Sequence, residues 1–271
     1  MIVDYHTHTS LCKHGEGDVE EYIRRALALG LDEIGCSEHM PMPDGFDLRH
    51  RMSLEEYYTS YAPRVSVLAE QYQGRIAVRR GLEAEFLPGA DDWIEKFIEE
   101  NDFDYVIGSV HFLGKWGEEK ALFHKEYTDD EVEELHIEYF EAIRASAQCR
   151  RYDIIGHCDL IKKFGIRGTP KIDEACWEAL KAIRAEDIAI EINTSGLRKP
   201  EHDTYPGIKV LERARELNIP LTLGSDAHKP GQVGLFFDKA VALVEKFGGG
   251  RISLFEGRQR REVRVSRLKA A

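Results

Sequence analysis

The sequence predicts an α/β fold: a distorted seven-stranded (β/α) TIM-like barrel with its active site at the C-terminal ends of the strands. Apolar, strand-like runs alternate with amphipathic, helix-like segments from one end of the 271 residues to the other. No linker or shift of composition interrupts the alternation, and repetition of this kind implies a parallel sheet. Nearly every apolar run finishes in a histidine or a carboxylate, and donors drawn from so many strands converge only if the sheet closes on itself. An open, doubly wound sheet would carry a Gly-rich phosphate loop after its first strand, and the chain has no G-x-G-x-x-G there.

The expected strands are 2–6, 33–37, 76–82, 104–110, 153–156, 188–193 and 221–225, with helices near 18–30, 53–73, 90–100, 129–149, 172–186, 206–217 and 236–247. Ser53 with Glu56, and Thr128 with Glu131, have the spacing of capping boxes, in which the hydroxyl takes the N3 amide while the Glu reaches back to the cap. Gly30, Asn218 and Gly248 stand where helices should end. Beyond residue 250 the rhythm stops. Segments 252–255 and 263–265 flank a turn at Gly257, so 251–271 reads as a terminal hairpin or strand extending a single domain over 1–271. This tail carries Arg251, Arg258, Arg260, Arg261, Arg264, Arg267 and Lys269, expected as solvated charges guarding an exposed edge.

Composition narrows the function. The net charge is −12, with 37 basic against 49 acidic residues, which argues against a nucleic-acid partner. No apolar stretch approaches the ~18 residues of a membrane span. The N-terminus lacks the basic region and cleavage site of a secretory leader, so the chain is expected in the cytoplasm. Cys12, Cys36, Cys149, Cys158 and Cys176 show no C-x-x-C spacing and read as reduced, buried thiols.

The chemistry lies at the strand ends. His6 and His8 alternate on a strand, so both imidazoles point to one side and can share an ion. His14 follows in a loop near the same mouth. His39 ends the second strand, Glu83 the third, His111 the fourth and His157 the fifth, while Asp226 and His228 close the seventh. Seven imidazoles and two carboxylates exceed what one tetrahedral ion uses and suit two or three metals. Mixed nitrogen and oxygen donors without thiolate suit zinc, manganese or iron. Of the remaining histidines, His50 and His124 read as loop residues, His136 as the solvent-facing side of a helix, and His202 as a residue near the mouth.

These motifs, from His6-Thr7-His8 through Glu38-His39, Gly81-Leu82-Glu83, Gly108-Ser109-Val110-His111 and Gly156-His157 to Gly224-Ser225-Asp226-Ala227-His228, resemble the polymerase-and-histidinol-phosphatase family of metal-dependent phosphoesterases. Residues 37–43, 159–164 and 193–198 look most like its monofunctional histidinol-phosphate phosphatases. The resemblance implies three divalent metals. The first would be held by His6, His8, Glu83 and Asp226. A second would take the bridging Glu83 with His111 and His157, and a third His14, His39 and His228. It implies hydrolysis of a small phosphomonoester, L-histidinol phosphate, by a hydroxide held between two of the ions, with Glu83 and Asp226 central to catalysis.

Other residues are expected around that chemistry. Arg198, and after it Lys162 or Lys163, could clamp phosphate, while Glu191 and Asn193 could orient ligands. Asp159 could protonate the leaving alkoxide. Glu85, Asp44 and Asp47 could accept from an amino-imidazole substrate, and residues 40–51 could form a lid. Three other readings use part of the same pattern. One is a phosphoesterase or nuclease acting on other phosphomonoesters or single-stranded DNA. Another is a metal-dependent amidohydrolase, which also begins with His-x-His on a barrel strand but would leave His14, His39 and His228 without a purpose. The third is a degenerate, non-enzymatic interaction domain stabilised by metal. A basic, aromatic-studded groove would favour the nuclease, and the sequence has none.

Overall fold

The structure, a computed structural model, describes residues 1–122, 127–165 and 168–268. His124 and Lys269 fall outside these ranges.

Seven parallel strands form one sheet: β1 (Val3–Asp4), β2 (Glu33–Cys36), β3 (Ala77–Glu85), β4 (Tyr105–Ser109), then past a small hairpin of β5 (Phe112–Leu113) and β6 (Lys120–Ala121), β7 (Ile154–Ile155), β8 (Ala189–Asn193) and β9 (Leu221–Gly224). They pair in sequence order, with Val3 opposite Glu33, Ile34 opposite Val78, Glu83 opposite Ile107, Ile107 opposite Ile154 and Ile190 opposite Leu221. Backbone bonds from Tyr5 N to Leu223 O (3.0 Å) and His8 N to Ala227 O (2.8 Å) join the two edges into a ring. The expected barrel is therefore present, with β1 and β7 reduced to two paired residues each. β3 is longer than expected and runs through Glu83 to Glu85, because strand pairing with β4 continues to Ser109.

Helices flank the strands: α1 (Val19–Leu29), α2 (Leu54–Glu56), α3 (Ala62–Gln71), α4 (Asp91–Glu99), α5 (Asp129–Gln148), α6 (Pro170–Ala185), α7 (Ile208–Glu216) and α8 (Phe237–Phe247). The Ser53 and Thr128 capping boxes form as expected, and Asp18 with Glu21 makes another at the start of α1. Gly30 ends α1 with a left-handed φ of 72°. The helix expected over 53–73 is interrupted by a π-turn at Tyr57–Tyr61. Pro63 lies two residues beyond its end, and its missing N–H and bulky ring prevent a regular helical bond from that position. Among the described residues, no helix is long and apolar enough to cross a membrane.

Two expectations are corrected by packing. His136 is buried on α5, with Nδ1 2.7 Å from Val132 O, on the same side of the helix as the buried Val132, Tyr139 and Ile143. The tail is a hairpin of β10 (Arg251–Glu256) and β11 (Gln259–Arg264), turning at Gly257 and Arg258, which both have positive φ, as a two-residue type I′ loop requires. Its arginines are not simply solvated. Arg258 pairs with Asp153 at 2.7 Å, Arg260 with Asp187 at 2.7 Å and Arg261 with Glu33 at 3.3 Å, all carboxylates at the starts of barrel strands. Phe255 inserts against Tyr5 and Tyr105 (ring centroids 6.1 and 6.2 Å), so the hairpin caps the N-terminal end of the barrel opposite the histidine-rich end.

Candidate metal centre

Strand alternation brings the donors together. Gly81, Glu83 and Glu85 alternate along β3, so both carboxylates project to one side of the sheet while Leu82 and Ala84 project to the other. Glu83 lies at the centre of the cluster. Its Oε1 is 3.2 Å from His6 Nε2, 3.1 Å from His157 Nε2 and 3.6 Å from His111 Nε2. Its Oε2 is 2.5 Å from His39 Nδ1 and 3.5 Å from His8 Nε2. Asp226 Oδ1 lies 3.5 Å from His8 Nε2 and 3.4 Å from His228 Nδ1, and His228 Nε2 is 2.9 Å from His14 Nε2. All nine residues expected as ligands are thus in one place. His157 and Asp226 are held there with φ of 22° and 51°, a conformation that a non-glycine residue adopts at some cost.

Several groups of three donors converge within 4.8 Å: His6 with His8 and Asp226, His6 with Glu83 and His157, His39 with Glu83 and His111, and His8 with His39 and His228. His6 Nε2, His8 Nε2, His39 Nδ1 and Glu83 Oε2 are buried and face chiefly one another, with no other hydrogen-bond partner. Buried polar atoms are ordinarily satisfied, and a facing set of unsatisfied lone-pair atoms is what divalent cations fit. Electrostatics at His8 and Glu83 agree. Burial lowers the His8 pKa far below the usual imidazole range, helped by neighbouring His39 and His228, so its lone pair is available. Burial opposes ionisation of Glu83, but His39, His6 and His111 outweigh it and keep the carboxylate charged.

A ring of carboxylates grips the far nitrogens of the imidazoles. Glu191 on β8 places Oε2 2.9 Å from His6 Nδ1 and accepts from the His157 backbone N–H at 2.7 Å. Glu38 Oε1 lies 3.1 Å from His8 Nδ1, while its Oε2 accepts from Thr9 N and Oγ1. Glu85 Oε2 lies 2.9 Å from His111 Nδ1. Such contacts fix the ring orientation and tautomer of a ligand. Glycine makes room for them: a Cβ on Gly224 would come 2.3 Å from Glu191 Oε2 and 2.8 Å from His6 Cβ. Glu191 was foreseeable as an orienter from its strand position. The roles of Glu38 and of Arg51, which reaches Glu85 Oε2 at 2.5 Å, were not, although a carboxylate directly before His39 at a strand end is the signal for the former.

The remaining expectations divide. A cavity of about 540 Å³ opens above the cluster, and Lys163 and Arg198 both line it. Arg198 donates to Ser225 O and Asp226 O, each at 3.0 Å, and its Nη1 is buried without a partner. Lys162 does not line the cavity. It is buried, donates to Asp159 Oδ2 and Asp203 Oδ2 at 3.1 and 3.0 Å and to Thr204 O, and pins the loop that carries Tyr205. Asp159 is buried in the same network, also accepting from Gly207 N at 2.9 Å, so neither a phosphate clamp at Lys162 nor proton donation by Asp159 fits this placement. Glu85 is committed to His111 and Arg51 and is 1% exposed, which leaves no free face for substrate. Asp44 is exposed and outside the cavity, where Asp47 stands in its place. Of the expected lid, Met40 and Met42 are buried in the core and Phe46 packs on Phe112 and Trp116 (centroids 5.0 and 4.9 Å), while Asp44, Gly45, Leu48 and Arg49 are exposed, so the segment is anchored at these apolar residues rather than packed throughout.

A closed (β/α) barrel whose strand ends gather histidines and carboxylates around one buried glutamate defines a barrel with a candidate metal centre of the hydrolytic kind. The chain belongs to the PHP domain family, whose model matches residues 4–195, and a PHP-associated model matches 209–237. It is 38% identical to a Deinococcus radiodurans protein named "Probable histidinol-phosphatase", over 93% of this chain and 96% of that one. It is 30% identical to the histidinol-phosphatase of Bacillus subtilis, over 87% and 96% respectively. Among solved structures it resembles the histidinol phosphate phosphatase of Lactococcus lactis complexed with zinc, L-histidinol and phosphate, at a TM-score of 0.79 and 25% identity, covering 96% of this chain and 98% of that one.

Proposed function

We propose that this protein is a histidinol-phosphate phosphatase that hydrolyses L-histidinol phosphate to L-histidinol and phosphate with three divalent ions. The observation that carries the reading is the convergence of buried donor atoms from His6, His8 and His39 on Glu83, with no other partner for them. The likeness to relatives bearing that activity, one of them solved with zinc, L-histidinol and phosphate, supports it. The reading assigns His6, His8, Glu83 and Asp226 to one ion, Glu83, His111 and His157 to a second, and His14, His39 and His228 to a third, with zinc, manganese or iron as the metal.

Ions held there would supply an activated water and neutralise charge on the phosphoryl oxygens. The protein's own residues do the rest. Glu83 ties the donor groups together, and Glu191, Glu38 and Glu85 stop the His6, His8 and His111 rings from rotating. Arg198 offers its unpaired Nη1, and Lys163 its charge, to the phosphoryl group from the cavity wall. A single domain over 1–271, with the terminal hairpin as its extension, and a cytoplasmic location that suits five free thiols belong to the same reading.

Phosphate release from histidinol phosphate, sugar phosphates and oligonucleotides, each with zinc, manganese and iron, tests it. Strong preference for histidinol phosphate is the expected result. Equal rates on all esters, or release of nucleotides from single-stranded DNA at a matching rate, would sink the assignment.

A further inference from the structure

We propose that Asp47 is the specificity-determining residue of this site, the anionic point that receives the positively charged amino-bearing part of the substrate; this rests on the phosphomonoesterase reading above. The cavity wall is strongly cationic, with Arg51, Lys163, Arg198, Lys199 and Lys229 on it. That charge suits the phosphoryl end of any ester and selects none of them. The carboxylates among the lining residues are Glu83, Asp226 and Asp47. The first two sit inside the donor cluster, which leaves Asp47 as the carboxylate available to a substrate cation.

Its position suits that task. On one side Asp47 Oδ1 is 2.7 Å from His50 Nδ1, and the His50 ring lies 5.5 Å from the ring of His14 at the edge of the cluster. On the other, Oδ2 is 3.4 Å from Arg51 Nε, and Arg51 leads through Glu85 to His111. Asp47 is therefore one or two side chains from the cluster along both routes, a gap suited to a substrate carrying phosphate and amine on a short carbon chain. A carboxylate has roughly four acceptor sites, so these two contacts aim the group without saturating it. The backbone at Asp47 is left-handed, with φ of 53°, and the contacts to His50 and Arg51 hold the side chain at the cavity despite that conformation. Phe112 and Leu160 supply apolar wall in the same cavity for the rest of the alcohol.

The test is the ratio of kcat/KM for histidinol phosphate to that for glycerol 3-phosphate, a neutral-headed ester, measured on zinc-loaded protein. Asp47→Asn and Asp47→Ser are both made, and the ratio is read in whichever keeps the wild-type zinc content. A hydrogen bond to a charged partner predicts that the ratio falls about 10- to 100-fold, mainly through KM for the amino ester. A wild-type ratio that survives in the variant, or equal losses on both esters, would overturn the role of Asp47. A wild-type ratio near one would instead overturn the parent reading, so the two failures are distinguishable.

Discussion

Glu191 and His6 are 185 positions apart, yet Glu191 Oε2 lies 2.9 Å from His6 Nδ1 at the heart of the barrel. The contact joins β8 to the end of β1 across the closed ring, and it leaves His6 Nε2 facing Glu83. The same carboxylate accepts from His157 N at 2.7 Å and from Asn193 Nδ2 at 2.9 Å, so one residue orients two of the proposed ligands.

Replacing Glu191 by Gln keeps the size and one acceptor but removes the charge that holds the His6 tautomer. Metal affinity is expected to fall about 10- to 100-fold with the fold retained. Zinc content after dialysis against graded chelator, with circular dichroism as the control, measures it. Unchanged zinc retention would show that Glu191 acts only in packing.

Glu83→Gln should have the larger effect. Five imidazoles contact its two oxygens. Loss of several kcal/mol of transition-state stabilisation corresponds to a drop of about a thousandfold or more in kcat, accompanied by loss of bound metal. Retained phosphatase activity in this variant would exclude Glu83 as the centre of the site.

Gly224→Ala tests how tightly the carboxylate ring is built. The added methyl would stand 2.3 Å from Glu191 Oε2, and Glu191 cannot retreat without releasing His6 and His157. The expected cost is about 1–3 kcal/mol of stability, read by denaturant titration, together with weakened zinc retention. A variant with native stability and zinc content would mean that the Glu191 side chain moves aside freely.

The terminal hairpin predicts a stability effect far from the chemistry. Phe255 is 2% exposed and packs against Tyr5 and Tyr105, so Phe255→Ala should cost about 3–5 kcal/mol. In contrast, Arg267→Ala should cost little, since its pairing with Glu245 at 3.6 Å is exposed. Thermal unfolding of the two variants should separate them clearly, and equal melting temperatures would refute the capping role of the hairpin.

Thiol chemistry offers an independent check on the packing. Burial pushes the Cys12, Cys36 and Cys176 thiols up to about 12 and raises Cys158 well above the usual thiol range. A raised pKa means little thiolate at pH 8, so these four should resist alkylation in the native protein, while half-buried Cys149 reacts first. Peptide mass mapping after timed alkylation gives the order, and early labelling of Cys36 would contradict the barrel packing around it.

The sequence by itself determined the barrel, the order of its strands and the nine candidate donors. These are written in local pattern: side chains alternate along a strand, so a histidine or carboxylate at each strand end is aimed before the chain has closed. It also located Lys163 and Arg198 at the cavity, since loops after strands lie at one face. Which residue meets which was decided by tertiary structure. Closure of the ring brought Glu191 to His6, Glu38 to His8 and Glu85 to His111, contacts spanning 185, 30 and 26 positions that no local spacing encodes. Asp159 and Lys162 sit in the right loop but turn inward, because each neutralises the other away from water. His136 is hidden on the packed side of α5, and the tail arginines find carboxylates at the floor of a barrel that exists only once all seven strands are paired. Direction of a side chain is a property of its own few residues. Partnership is a property of the closed sheet.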